Sequence, residues 1–283
     1  MAISIADALL NATSSLRNAG VSEPRREASS LLSHVIQRDR TFLISHAEHQ
    51  INSEEFESFG AVLERRAGGE PLQYITGQQD FYGRVFRVSP DVLIPRPETE
   101  LLVESALELL NSSDGYICDV GTGSGCIAIS VLCERPGARA VAVDISTAAL
   151  SFAQQNADDL GVKDRIEFLV SDCFSSVPIT SAFDLIVSNP PYIDLDVVAG
   201  LQREVRDHEP MIALTPGPDG LAIIRRLIND APRFLREDGH LLLEIGFDQG
   251  DVVQELVEKT VWELTDIRPD LQGIPRIVVL RKK

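Results

Sequence analysis

Up to about residue 70, apolar residues recur with the period of α-helices. Ile5, Leu9, Ala12 and Leu16 fall on one face. Ala28, Leu31, Leu32, Val35 and Ile36 follow the same spacing after a start signal at Ser22-Glu23-Pro24. A third helix is predicted from Asn52-Ser53, turning Phe56, Phe59, Val62 and Leu63 inward and ending at Gly68-Gly69. The period then changes. Val85, Arg87 and Val88 beside Gly83 predict a short hairpin. The prolines of Leu93-Ile94-Pro95-Arg96-Pro97-Glu98-Thr99-Glu100 predict a stiff connector, and 98–110 reads as a helix.

From about residue 115 the pattern alternates. Strands are predicted over 116–120, 140–144, 165–171, 183–188 and 240–246, and helices over 126–135, 147–160, 221–235 and 249–259. Such alternation implies an α/β fold with a parallel sheet covered on both faces. The tail differs. Segments 262–268 and 276–281 have no helix between them and should pair antiparallel at a sheet edge. The expected organisation is a helical bundle over 1–80, a hairpin and Pro-rich connector over 81–100, and an α/β domain over 101–283.

Composition narrows the classes. The 283 residues are 44% hydrophobic and 24% charged, an ordinary globular profile. No apolar run reaches the ~18 residues of a membrane helix, and the first residues lack a basic leader. Cys118, Cys126, Cys133 and Cys173 form no Cys-x-x-Cys pair and read as reduced thiols of a cytoplasmic protein. His46 and His49 have no further ligand nearby, so no metal is expected. The net charge of −17 disfavours duplex DNA, because backbone binding relies on Lys and Arg.

The first α/β strand runs into Asp119-Val120-Gly121-Thr122-Gly123-Ser124-Gly125. Alternate glycines let a ligand lie against the backbone, and the next helix start presents free N–H groups. The second strand ends in Asp144, where an acid would accept from both ribose hydroxyls. A dinucleotide would call for Gly-x-Gly-x-x-Gly, with pyrophosphate on the helix N-terminus. Here the loop is Gly-x-Gly-x-Gly behind an acidic residue, and a carboxylate there suits the ammonium of S-adenosylmethionine better than pyrophosphate. Asp172-Cys173-Phe174, after the third strand, is placed to meet the adenine.

Asn189-Pro190-Pro191-Tyr192 ends the fourth strand. Two prolines stop the strand and hold Asn189 extended. The Asn189 amide and the Pro190 carbonyl supply two acceptors that could fix a planar NH2 group and favour positive charge growing on its nitrogen, while Tyr192 offers a ring face. The motif suits adenine, cytosine or a carboxamide.

At this point the chain resembles the protein-(glutamine) methyltransferases that modify peptide chain release factors, the PrmC/HemK family. The resemblance covers essentially the whole sequence. It includes Pro71-Leu72-Gln73-Tyr74-Ile75-Thr76-Gly77, the Ile94–Glu100 segment, the glycine loop with Cys126, Asn189-Pro190-Pro191-Tyr192-Ile193 and His208-Glu209-Pro210. It implies a Rossmann-like class I S-adenosylmethionine-dependent methyltransferase sheet with a small N-terminal helical domain for substrate recognition. It also implies methyl transfer to the side-chain amide nitrogen of the glutamine in the Gly-Gly-Gln motif of class I release factors. The donor site would comprise Asp119, Gly121, Thr122, Gly123, Ser124, Gly125, Asp144, Asp172, Cys173 and Asn189. The glutamine site would comprise Asn189, Pro190, Pro191 and Tyr192. Cys173 stands where family members often have tryptophan, with Phe174 as the expected substitute against adenine. His208-Glu209-Pro210 reads either as pocket lining or as a turn. Neither DNA nor a membrane is expected as a partner, and a monomer is the default. A ribosomal-protein glutamine methyltransferase is the nearest rival, followed by a DNA adenine methyltransferase and then a nucleoside- or dinucleotide-binding protein.

Overall fold

A computed structural model describes residues 3–110 and 114–283. In chain order, β1 (Ile3–Ser4) leads into α1 (Ile5–Asn18), α2 (Pro24–Ile36) and α3 (Arg40–Ser45). Then come β2 (Gln50–Ile51), α4 (Ser53–Ala67) and α5 (Leu72–Thr76). The hairpin is β3 (Gln78–Phe81) and β4 (Arg84–Arg87), followed by α6 (Glu100–Leu109). The remainder runs β5 (Tyr116–Val120), α7 (Cys126–Glu134), β6 (Arg139–Asp144), α8 (Thr147–Asp159), β7 (Ile166–Val170) and β8 (Phe183–Ser188). Short helices α9 (Arg203–His208) and α10 (Met211–Leu214) precede α11 (Ala222–Asp230), β9 (Leu235–Glu244), α12 (Gly250–Leu256), β10 (Trp262–Pro269) and β11 (Pro275–Lys282).

The chain divides into two compact units. The helical unit comprises residues up to Gln78 together with Gln202–His208, so α9 joins it from far along the sequence. Its core is Ile5, Ala12, Leu16, Leu31, Leu32 and Phe59, the stripes the periodicity marks. Phe56 departs from expectation and is 44% exposed, about one turn before the buried Phe59 of α4. The start of α4 is set by a capping box: Asn52 Oδ1 accepts from the Glu55 N–H at 2.9 Å, and the Glu55 carboxylate accepts from the Asn52 N–H at 2.8 Å. Within this unit Arg66 is buried, and its guanidinium donates to Glu27 and to Glu204 of α9. An unpaired buried charge is costly, so the two carboxylates are its necessary partners.

The second unit holds a seven-stranded sheet in the order β10-β11-β9-β8-β5-β6-β7. β9, β8, β5, β6 and β7 are parallel to one another, while β11 is antiparallel to both β9 and β10. Side chains alternate between faces, as the period of two requires. Ile117, Ala142, Leu185 and Leu242 pack under α6 and α7, while Cys118, Val141, Ile186 and Leu241 pack under α11 and α12. α11 stops at Asp230, short of the 221–235 expected, because Pro232 follows and cannot extend the ladder. β9 accordingly begins at Leu235, five residues ahead of the predicted 240.

Candidate active site

Strand order reverses at β5, with β6 and β7 on one side and β8 on the other. A crevice opens beyond the carboxyl ends of strands at such a point. A cleft of about 340 Å³ lies there, within the roughly 300–1,000 Å³ of small-molecule sites. Its walls come from the ends of four parallel strands: Val120, Gly121 and Gly123 at the end of β5, Asp144 at the end of β6, Asp172 and Cys173 after β7, and Asn189, Pro190 and Pro191 after β8.

On the glycine side, the Gly121 and Thr122 N–H groups donate to Val143 O at 2.8 and 3.0 Å, which ties the loop to β6. A Cβ at Gly121 or Gly123 would meet nothing within 4 Å, so both face open space and leave a bare backbone cradle. Gly125 differs. It has φ +82°, and a Cβ there would sit 2.6 Å from Ile129 and 3.2 Å from Ala153, so its role is to let the loop enter α7. The Asp144 oxygens accept from the Gly123 and Ser146 N–H groups, each at 2.9 Å, which fixes the carboxylate while leaving lone pairs for a ligand. Burial raises its pKa against those two bonds. This combination fits the ribose and amino-acid parts of S-adenosylmethionine.

Asp119, Thr122, Ser124 and Gly125 stand behind that wall instead of lining it. Asp119 is fully buried, and its Oδ2 accepts from Thr122 Oγ1 at 2.7 Å and from the Ala128 N–H at 3.2 Å. The acid predicted to meet an ammonium thus organises the loop and the first turn of α7. Burial lifts its pKa to about 6 in spite of those bonds. Ser124 is also buried, and its carbonyl accepts from Asn156 Nδ2 at 2.8 Å. Asn156 further pairs with both backbone groups of Arg87, clamping the loop to β4. Sequence reading passes over Asn156; its one signal is a polar residue on the apolar face of α8.

Asp172 and Cys173 line the cleft as expected, and Asp172 pairs with Arg226 at 2.8 Å. Burial pushes the Cys173 thiol up to about 11, so it lines the cleft as a neutral, polarisable group. Phe174 is no substitute stacking surface. Its ring stacks on Phe234, centroids 4.7 Å apart, inside the core.

On the acceptor side, the Ser188 hydroxyl donates to Val120 O at 2.6 Å and locks the end of β8 to β5. Asn189 Nδ2 donates to the Thr99 hydroxyl at 3.1 Å, leaving Oδ1 as its free acceptor. Thr99 ends a turn of 3-10 helix over Pro97–Thr99, so the Pro-rich segment contributes directly to the site. Tyr192 does not line the cleft. It packs against the core, burial raises its phenol pKa, and its carbonyl accepts from Gln249 Nε2 at 2.9 Å. The same amide accepts from the Gly246 N–H at 2.9 Å. Glu209 is buried and accepts from Arg96 and the Ile94 N–H, holding the Pro-rich segment, while Pro210 reaches the cleft. His208 belongs to the helical unit. Thr99, Gln249 and Glu209 lie far in sequence from the motif they serve. Among the described residues there is no cluster able to hold a metal ion and no helix long and apolar enough to cross a membrane.

Comparison with known proteins adds to this geometry. The sequence matches the PrmC N-terminal domain over residues 7–77 and the methyltransferase small domain over residues 97–204. The release factor glutamine methyltransferase of Cereibacter sphaeroides is 45% identical over 98% of each chain. That of Moorella thermoacetica is 41% identical over 97% of each. Among solved structures, the ribosomal protein L11 methylase of Lactobacillus delbrueckii subsp. bulgaricus superposes with a TM-score of 0.51 at 22% identity, covering 72% of this chain and 90% of its own, a likeness of fold alone.

Proposed function

The chain belongs to the release factor glutamine methyltransferases, and from that premise we propose that it moves a methyl group from S-adenosylmethionine to the glutamine amide nitrogen of the Gly-Gly-Gln motif in class I release factors. The observation that carries the reading is that the bare glycine cradle and the Asn189 amide line one cleft. Donor and acceptor would meet between them.

Gly121 and Gly123 would hold the donor's amino-acid portion and Asp144 its ribose, with Asp172 and Cys173 along the adenine. The donor supplies an electrophilic methyl on a sulfonium. Asn189 Oδ1 and the Pro190 carbonyl would accept the two N–H bonds of the glutamine amide. They orient its nitrogen and stabilise the positive charge that grows there. An amide lone pair is delocalised; the ~18–20 kcal/mol rotation barrier shows how strongly. Positioning can supply on the order of 7–11 kcal/mol against that reluctance. The N-methylated amide cation is acidic and can lose its proton to water, so the scheme needs no general base. No metal takes part in it. The helical unit would recognise the body of the release factor, a cytoplasmic partner.

The test mixes the protein, methyl-labelled S-adenosylmethionine and a purified class I release factor with its loop glutamine intact or changed to alanine. Label only on the intact factor, located at that glutamine by mass spectrometry, is the expected result. Label on a ribosomal protein or on DNA instead would replace the proposed substrate.

A further inference from the structure

Asn156 is a polar residue on the inner face of α8, only 1% exposed. Burying an amide is costly unless its groups are paired, and here they are. Oδ1 accepts from the Arg87 N–H at 2.7 Å, and Nδ2 donates to the Arg87 carbonyl at 3.1 Å and to the Ser124 carbonyl at 2.8 Å. One backbone donor and two backbone acceptors leave the amide a single orientation. Among the described residues β4 pairs with β3 alone, so its outer edge has backbone groups to satisfy, and Asn156 meets those of Arg87. Capping that edge takes Oδ1 and one N–H. The second N–H goes to the glycine loop, which the edge of β4 does not require.

The two segments it joins are both walls of the cleft or lead straight into one. Ser124 follows the bare cradle of Gly121 and Gly123, whose other end is tied to β6 through Val143 O. Arg87 ends β4, and the next short stretch of chain reaches Asp91, Val92 and Leu93 of the cleft wall. α8 is their common support. Ala149, Ala153 and Asn156 are spaced to share one helix face. Ala149 lines the cleft, a Cβ on Gly125 would fall 3.2 Å from the Ala153 Cβ, and Asn156 takes the loop carbonyl. We propose that Asn156 is a positioning residue for donor binding, holding the glycine loop in register with the Asp91–Leu93 wall. This rests on the S-adenosylmethionine reading above. A donor that lies on backbone atoms finds no side-chain rotamer to take up a shift of the loop, so the loop's placement enters affinity directly.

The test uses Asn156→Asp in the full chain. This variant keeps the acceptor for the Arg87 N–H and replaces both Nδ2 donors with a carboxylate facing two carbonyls. By calorimetry at about pH 8, S-adenosylmethionine should bind about 10–100-fold more weakly than to wild type. With saturating donor, kcat on the release factor should stay within about threefold, because the acceptor groups at the end of β8 are untouched. As pH falls from about 8 to about 6 the affinity should climb back toward wild type at the same pH, since a protonated carboxyl can again donate to a carbonyl. Hydrogen exchange should quicken at the Gly121–Gly125 amides and stay slow at Arg87, whose acceptor is retained. Asp159→Ala is the control: it breaks the half-exposed ion pair of Arg87 with the same helix and should leave donor affinity within about twofold. If Asn156→Asp does not fold, Asn156→Ser, too short to span Arg87 and Ser124 together, gives the same comparison of affinity and exchange. Donor affinity within about threefold of wild type at high pH, a loss that does not recover on acidification, or an equal loss in Asp159→Ala would overturn the proposal. If the wild type binds no S-adenosylmethionine, the donor reading falls, and the exchange rates still decide whether Asn156 holds the loop.

Discussion

Gln249 Nε2 donates to the backbone carbonyl of Tyr192 at 2.9 Å, so a residue at the start of α12 holds the end of the Asn-Pro-Pro-Tyr segment. Because the same side chain also accepts from Gly246, replacing it with leucine would strand two backbone groups. Each buried orphan costs about 1–3 kcal/mol. Gln249→Leu should lower both Tm and kcat, the latter by about tenfold or more, with donor affinity little changed. Thermal unfolding, calorimetry and single-turnover rates check the three parts.

Donor and acceptor functions should separate by mutation. Asp144→Ala removes a charged acceptor, and hydrogen bonds to charged groups are worth about 1.5–3 kcal/mol. It should weaken S-adenosylmethionine binding about 10–100-fold by calorimetry. Asn189→Ala removes the Oδ1 acceptor and should abolish turnover while donor binding stays largely intact. Equal donor affinity in Asp144→Ala would remove its ribose role, and an unchanged kcat in Asn189→Ala would remove Asn189 from the reaction.

Gly220 guards the same carbonyl by its size. A Cβ there would fall 2.1 Å from Tyr192 O, and φ is +66°. Gly220→Ala must therefore push the Asn-Pro-Pro-Tyr segment aside. A 1 Å displacement of a reacting group can cost about 100-fold, and activity should fall by that order in an initial-rate assay. The circular dichroism spectrum should remain that of a folded chain.

Asp119 gives a pH signature in stability. Its folded pKa of about 6 lies above the ordinary 3.8, so the folded chain holds that proton more tightly than the unfolded one. The contribution favours folding below about pH 4 and is lost as pH rises through about 6. A shift of about two units corresponds to roughly 3 kcal/mol. The stability difference between wild type and Asp119→Asn, from urea unfolding across pH 4–7, should change in that direction and level off above the folded pKa. A difference independent of pH would mean that Asp119 titrates normally.

Much of this protein is local and therefore legible in its sequence. Periodicity placed the strands 116–120 and 183–188 at the observed Tyr116–Val120 and Phe183–Ser188, because an apolar run ended by glycines or prolines has few other ways to fold. The antiparallel tail followed from the absence of a helix between its strands. Gly121, Gly123, Asp144 and Asn189 could be placed in one cleft, because strand ends of a parallel sheet converge on one edge.

What the sequence left open depends on contacts between distant residues. Asp119 is tied through Oδ2 to Thr122 and to the first turn of α7, contacts that the sequence does not show. Phe56 falls on the predicted apolar stripe yet is 44% exposed, because burial depends on which neighbours the helix meets. Thr99 looks like an ordinary residue of a turn until folding joins it to Asn189 across a gap of 90 positions. The sequence supplied the amide and its place at the sheet edge. Only the tertiary structure decided what holds it, because the Thr99 hydroxyl that engages the amide lies on a segment that meets it only in the folded chain.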